Sequence, residues 1–215
     1  MPARTGRPPK ISRADIVSAA HRLIEAEGTG SLTMRRLARE VGATPMALYH
    51  HVHDKEELLL LLLDDYAAAM PRPQLPDEPG ERMVTAAMAM REALSGWPWV
   101  VEVLRADDLF AESALWYPEM IIDAAVRAGL TLERAVAAYR IIWHYTAGEI
   151  SARDAARRRR EEGRPTFRER VFTGLDAQAL PRLAELGERW AELTVRDTYE
   201  DGLRALVRGL LAASA

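Results

Sequence analysis

The side chains best suited to chemistry crowd into one stretch, TMRRLAREVGATPMALYHHVHDK, residues 33–55. It holds guanidinium, ammonium, hydroxyl, phenol and imidazole groups, a set suited to hydrogen bonds and ion pairs rather than to covalent intermediates. A guanidinium makes paired hydrogen bonds to phosphate or to a guanine edge, and an ammonium neutralises phosphate wherever it is brought close. The chain has no cysteine, so disulfides, thiolate catalysis and cysteine-held zinc are excluded. Its scattered Asp, Glu and His residues make no paired metal motif or activated nucleophile, and no glycine loop is set to cradle phosphate. An all-helical enzyme stays open only as an alternative of a different class.

Positioning these groups falls to helices. The chain is 48% hydrophobic and 28% charged, with long stretches rich in Ala, Leu, Arg and Glu, and few segments alternate as a half-buried strand would. Ser12, with Asp15, opens a first helix in which Ile16, Ala19, Ala20, Leu23 and Ile24 recur at helical spacing until Gly28 and Gly30. Thr33 caps a second short helix that ends at Gly42, and Thr44 caps a third with Pro45 in its first turn. Asp54 restarts the chain into a fourth helix carrying Leu58 to Leu63. Leu37, Val41 and Leu48 are expected to pack on the first helix, leaving Arg35 and much of the third helix outward. This is the spacing of a helix-turn-helix, whose second helix fits a major groove, although a generic helical hairpin uses similar apolar spacing.

Charge divides along the chain in the same sense. Residues 1–55 carry nine Lys or Arg against five Asp or Glu, a balance of +4, while the rest carries 20 against 27, a balance of −7. The positive end can meet phosphate, and most of the chain must do something other than wrap nucleic acid. The expected organisation is a flexible basic arm over 1–11 with Arg4, Arg7 and Lys10, a helix-turn-helix domain over 12–57, and a connecting helix with a larger helical domain over 58–215. Pro71, Pro73, Pro76 and Pro79 mark the connection into that larger part. Further helices are expected over 81–95, around 99–106, from Trp116 to Ala128 before Gly129, from Leu132 towards Ser151, over 178–186, and from Trp190 to Leu211. No signal core follows the basic start and no apolar run spans a membrane, so a cytoplasmic protein is expected.

Over residues 12–63 the sequence resembles the tetracycline-repressor family of bacterial transcriptional regulators, through LTMRRLAREVG followed by LYHHVHDKEELL. The resemblance implies an all-α fold: a three-helix DNA-binding domain, then a larger helical domain for ligand binding and dimerisation. It places Arg35 for phosphate or a guanine edge, and Thr33 for phosphate as well as its cap. Thr44, Pro45, Met46 and Ala47 open the recognition helix where the family contacts bases, and their apolar character suits thymine methyls. Tyr49 matches a backbone-contacting tyrosine, His50 lies beside the groove, His51 matches a DNA-facing histidine, and Lys55 matches a phosphate-contacting lysine. His53 is expected to serve the turn, and no metal or other cofactor is expected at the histidines. Pro45 and Met46 depart from the residues of the original tetracycline repressor, so its operator does not carry over.

A weaker resemblance to the C-terminal domain of those repressors lies in WPWVVEVL, YPEMIIDAAVRAGLTLERA and WHYTAGE, within residues 97–149. It implies a ligand-binding core and a homodimer built on two long helices per subunit, near 132–151 and 190–211. Leu193, Leu203, Leu206, Val207 and Leu210 give the last helix an apolar run that needs another helix against it, from the partner or from the same subunit. Met88, Trp99, Phe110, Trp116, Met120, Tyr139 and Trp143, with Trp97 and Tyr145, offer adaptable apolar surface for a small organic effector, and ordinary core packing uses the same side chains. Arg105, Asp108, His144 and Glu149 are the polar candidates, with pairing or solvent the alternative for Glu149. The expected function is a ligand-responsive repressor that holds a palindromic double-stranded DNA operator as a homodimer and releases it on binding effector. An activator, a ligand-independent DNA-binding protein and a structural or protein-interaction module remain alternatives.

Overall fold

The computed structural model describes residues 11–106, 109–161, 171–172, 174–187 and 189–212. The basic residues Arg4, Arg7 and Lys10, the polar candidate Asp108, and Gly163 and Pro165 lie outside them. The chain forms two compact units: the first takes the chain up to Pro73 with Glu92–Glu119, the second Gln74–Arg91 with Met120–Ala215.

Unit 1 begins with α1, Arg13–Glu27, opened by a reciprocal cap: the Ser12 hydroxyl accepts from the Asp15 N–H at 3.1 Å, and Asp15 accepts from the Ser12 N–H at 2.9 Å. Ile16, Ala19, Ala20, Leu23 and Ile24 make its buried stripe, and Gly28 ends it at φ 80°, a conformation that L side chains rarely adopt. A 3₁₀ turn, Thr29–Ser31, leads to α2, Met34–Glu40, and α3, Pro45–Tyr49. Gly42, at φ 67°, turns the chain between them. Helix α4, Lys55–Ala68, is capped by Asp54 and buries Leu58, Leu59, Leu62 and Leu63. Leu37, Leu48, Val52, Leu58 and Leu62 are fully enclosed, each burial worth about 1.5–3 kcal/mol. Val41, expected in that core, is only half-buried, because helix α2 ends on it and its backbone turns outward to Gly42. The unit is completed by α6, Pro98–Ala106, a 3₁₀ turn at Glu112–Ala114, and the first residues of α7, Trp116–Arg127.

Unit 2 is built from most of α5, Pro79–Ser95, the rest of α7, and α8, Leu132–Glu161. The chain then gives α9, Pro181–Leu186, α10, Arg189–Thr194, and α11, Tyr199–Ala212. Its core joins Met83, Ala86 and Ala87 of α5, Ile121, Ala124 and Ala125 of α7, Ala135, Ala138 and Ile142 of α8, and Tyr199, Leu203 and Val207 of α11. The many alanines let these helices approach closely. Helix α8 runs to Glu161, past the expected end near Ser151, because arginine and alanine favour helix and Arg157 and Arg158 both pair with Asp154 one turn back.

The single terminal helix expected from Trp190 is instead broken into α10 and α11. Two β-branched residues, Val195 and Thr198, lie in the gap, and the Asp197 carboxylate accepts the Tyr199 N–H at 3.1 Å, so the chain starts a new helix there. The apolar run offered as a reason for dimerisation is used inside the subunit: Leu203 and Val207 are buried in this core, with Leu206 and Leu210 packed on it. Among the described residues of unit 2, exposed apolar side chains include Val136 and Ile141 on α8, Val126 on α7 and Val195 between α10 and α11. Among the described residues no helix is long and apolar enough to cross a membrane.

Candidate nucleic-acid interface

The sequence predicts ten DNA-facing residues, and the local folding of unit 1 decides how each is presented. Thr33 and Thr44 cap α2 and α3: their side chains accept from the Arg36 and Ala47 N–H groups, each at 3.2 Å. Both remain exposed, so each hydroxyl can still donate to a group outside the protein. Of the tandem arginines, Arg36 is held by Glu27 through both guanidinium nitrogens, while Arg35 is exposed on α2. The two side by side have different work, one bracing α2 against α1 and the other facing out.

Helix α3 is fixed from beneath by Leu48, fully buried, with Val52 buried just beyond. Above that anchor Thr44, Pro45, Met46, Tyr49 and His50 are exposed, and Ala47 and His51 are half-exposed. Met46 leaves 68% of its surface in solvent and Tyr49 45%, a large uncovered area for such side chains on a helix so firmly seated. Lys55 opens α4, and its ammonium reaches the Thr29 carbonyl at 3.4 Å. The Thr29 hydroxyl in turn donates to Glu102 of α6 at 3.2 Å. His53 has its backbone N–H on Glu57 at 2.6 Å and its ring near the same carboxylate, so it serves the turn. Among the described residues no group of three or more His, Asp or Glu is arranged to hold a metal ion. What the surface offers is a cationic guanidinium and ammonium flanking an apolar and hydroxyl-bearing helix.

The nine ligand candidates fall into both units. In unit 1, Trp99 is buried and sits edge-on to His21, ring centroids 6.2 Å apart; His21 also meets Trp97, which packs on Tyr66. Trp97 and Trp99 thus belong to an aromatic group with α1 and α4. Arg105 is exposed in the last turn of α6, Phe110 is exposed, and Trp116 packs edge-on to Tyr117 at 4.9 Å. In unit 2, Met88, Met120 and Tyr139 are each partly buried against the alanine-rich core. Burial pushes the Tyr139 hydroxyl up to about 12. Trp143 is half-buried and His144 exposed on α8.

Arg91, Arg153, Asp197 and Tyr199, which the sequence reading did not single out, join Glu149 and Tyr145 in the most developed polar cluster of unit 2. Arg91 donates to both oxygens of Glu149, at 3.1 and 3.0 Å, and to Asp197 at 2.9 Å, with its guanidinium 4.6 Å from the Tyr199 ring centroid. Arg153 pairs with both carboxylates as well. Tyr199 stacks on Tyr145 and bonds Thr146 at 2.6 Å. Glu149, a polar ligand candidate, is therefore paired. Desolvation works against the Asp197 carboxylate, but the Tyr199 N–H and the arginines outweigh it and hold the carboxyl below its usual range. The partners of Arg91 stand 58 and 106 residues away, a separation that leaves no local signal.

Comparison with known proteins bears on both parts of the chain. The family of bacterial regulatory proteins, tetR family, matches residues 16–62, and the tetracyclin repressor-like C-terminal domain matches residues 72–214. The HTH-type transcriptional repressor DrrR1 of Streptomyces coeruleorubidus is 34% identical over 66% of this chain and 54% of its own length. An HTH-type transcriptional regulator of Saccharopolyspora erythraea is 32% identical over 72% of this chain and 66% of its own. The match thus spans between about half and two thirds of these relatives. A solved structure of BioQ with its natural double-stranded DNA operator aligns over 94% of this chain and 99% of that one, with 26% identity and a TM-score of 0.65.

Proposed function

Since the chain belongs to the tetR family of bacterial regulatory proteins, we propose that it is a ligand-responsive transcriptional repressor acting on a palindromic operator as a homodimer. The observation that carries this reading is the exposure of Met46 and Tyr49 on a helix anchored by fully buried Leu48, with Arg35 and Lys55 beside it. Helix α3 enters the major groove with Thr44, Pro45, Met46 and Ala47 foremost. Arg35 and Lys55, with Thr33, Tyr49, His50 and His51, hold phosphate and groove edges. Apolar contact at Met46 reads thymine methyls, and the cations fix register without reading sequence. Two copies on one palindrome gain from simultaneous engagement.

Release requires no covalent chemistry. A small organic effector that binds better to the arrangement unable to span both half-sites shifts the population away from DNA, and DNA weakens effector binding by the same factor. The tetracyclin repressor-like match over residues 72–214 supports an effector domain, with candidates Met88, Met120, Tyr139, Trp143 and His144 in unit 2 and Trp99, Arg105, Phe110 and Trp116 in unit 1.

Footprinting of the purified protein on its own promoter region tests the reading. The expected result is a protected palindrome that one compound of a small-molecule collection abolishes. Lys55→Met should weaken binding evenly across sequences and lower the salt slope by about 1. A promoter left unprotected at low salt would defeat the proposal, whereas protection that every compound leaves intact would favour a ligand-independent DNA-binding protein.

A further inference from the structure

Arg82 and Arg91 both stand on α5 in unit 2, and they are served very differently. Arg91 grips the Glu149 carboxylate with its Nε–Nη2 edge, at 3.1 and 3.0 Å. In Arg82 the same edge is almost idle. Its Nη2 reaches only the Met120 thioether, at 3.6 Å, and its Nε is buried with no hydrogen-bond partner among the described residues. Nη1 donates to the Pro76 carbonyl at 3.3 Å, a neutral acceptor. With 18% of the side chain exposed, little water is left to make up the difference.

The carboxylates of the neighbouring sequence are engaged elsewhere. Glu78 accepts the Gly80 and Glu81 N–H groups at 3.0 and 2.6 Å, and Glu81 pairs with Arg204. Asp123, on α7, comes no nearer to Arg82 Nε than 4.0 Å, beyond hydrogen-bond reach, and is shared with Arg127 at 3.8 Å. A mostly enclosed cation whose flat edge meets only a thioether is costly, and a flat anion that fills the edge relieves that cost. Met120 is flexible and partly buried against the core of the unit, as is Leu75 next to Pro76, so the thioether can yield its place and line an apolar body. We propose that Arg82 anchors the carboxylate of a small organic acid, with the two oxygens on Nε and Nη2 and the apolar remainder against Met120 and Leu75. The Asp123 carboxylate at the rim favours such a singly charged acid over a phosphate. The inference rests on the effector reading above and gives that effector a chemical class.

The test uses the full-length protein and a set of fluorinated aryl and alkyl monocarboxylates, each paired with its own primary amide, followed by fluorine NMR at neutral pH. The expected result is at least one acid that binds about tenfold more tightly than its amide, a preference that Arg82→Gln abolishes and Asp123→Asn keeps or strengthens. The same acid should shift the methyl line of carbon-13-labelled Met120, identified by Met120→Leu. Should Arg82→Gln fail to fold, that line decides alone, because it must move with the acid and stay still with the amide. Wild type that binds no acid better than its amide, or a preference that survives Arg82→Gln, overturns the site. A preference seen only in Asp123→Asn overturns it as well, since Asp123 then closes on Arg82 in the native protein. Promoter protection measured on the same samples separates the two readings: protection at low salt leaves the regulator standing when the site fails, and its absence sinks the regulator.

Discussion

In unit 1 the side chains of Ser12, Thr33, Thr44 and Asp54 each accept a backbone N–H three residues on, and the chemistry they frame is left in solvent. In unit 2 Arg91, Glu149, Arg153 and Asp197 meet from α5, α8 and the turn before α11, and both Arg91 and Glu149 are mostly enclosed. One region thus presents polar groups outward from locally determined helices, while the other turns them on one another to fix where α11 begins. The comparison suggests that the first should lose binding when its polar groups are cut, and the second should lose stability.

The sharpest way to break that contrast is Arg91→Met, which removes the enclosed cation and leaves Glu149 and Asp197 only the more exposed Arg153. A cost of about 3 kcal/mol is expected from a mostly buried pair, read by urea melts, with DNA affinity of the folded protein unchanged. A cost within experimental error would show that this network behaves like an exposed one. Gly202→Ala should come next: a Cβ there would meet the Tyr145 hydroxyl in close contact, and overpacking of this kind costs about 1–3 kcal/mol. A melt matching wild type would mean that Tyr145 simply swings away.

Removal of the α3 cap by Thr44→Ala should cost about 1 kcal/mol and also weaken DNA binding. Stability loss without affinity loss would show that α3 is set by Leu48 alone. The smallest effect concerns pH. The Asp197 carboxyl sits below its unfolded value of about 3.9, so its contribution is fully present above that pH and disappears as pH falls through the lower folded value. With the side chain half-exposed, the contribution should stay below about 1 kcal/mol. Thermal melts from pH 5 downward should therefore fall slightly less steeply in Asp197→Asn than in wild type; identical slopes would remove Asp197 from the acid limb.

The same contrast explains what could be read from sequence. Caps at Ser12, Thr33, Thr44 and Asp54, the turn at Gly42, and the apolar spacing through Leu37 and Leu48 are all decided within a few residues, so the helices of the head were legible together with their outward face. The break at Asp197 was not, because the apolar pattern runs on from Leu193 to Leu203 while the interruption depends on one carboxylate taking a backbone N–H. Nor did the aromatic richness of residues 97–145 say which rings would pair. Trp99 went to His21 and Tyr145 to Tyr199, partners chosen by tertiary packing across many residues.

The placement of Tyr199, Leu203 and Val207 in the core of unit 2 has a consequence for how the protein is made. Helix α11 leaves the ribosome after every helix it packs against, so the faces of α5, α7 and α8 that it covers stay open until Tyr199–Ala212 is made, while the capped helices α1 to α4 already have their local partners. A chain stalled before Tyr199 would carry a nearly finished reading head joined to an unclosed, adhesive remainder, and chaperone demand should concentrate in that interval of translation.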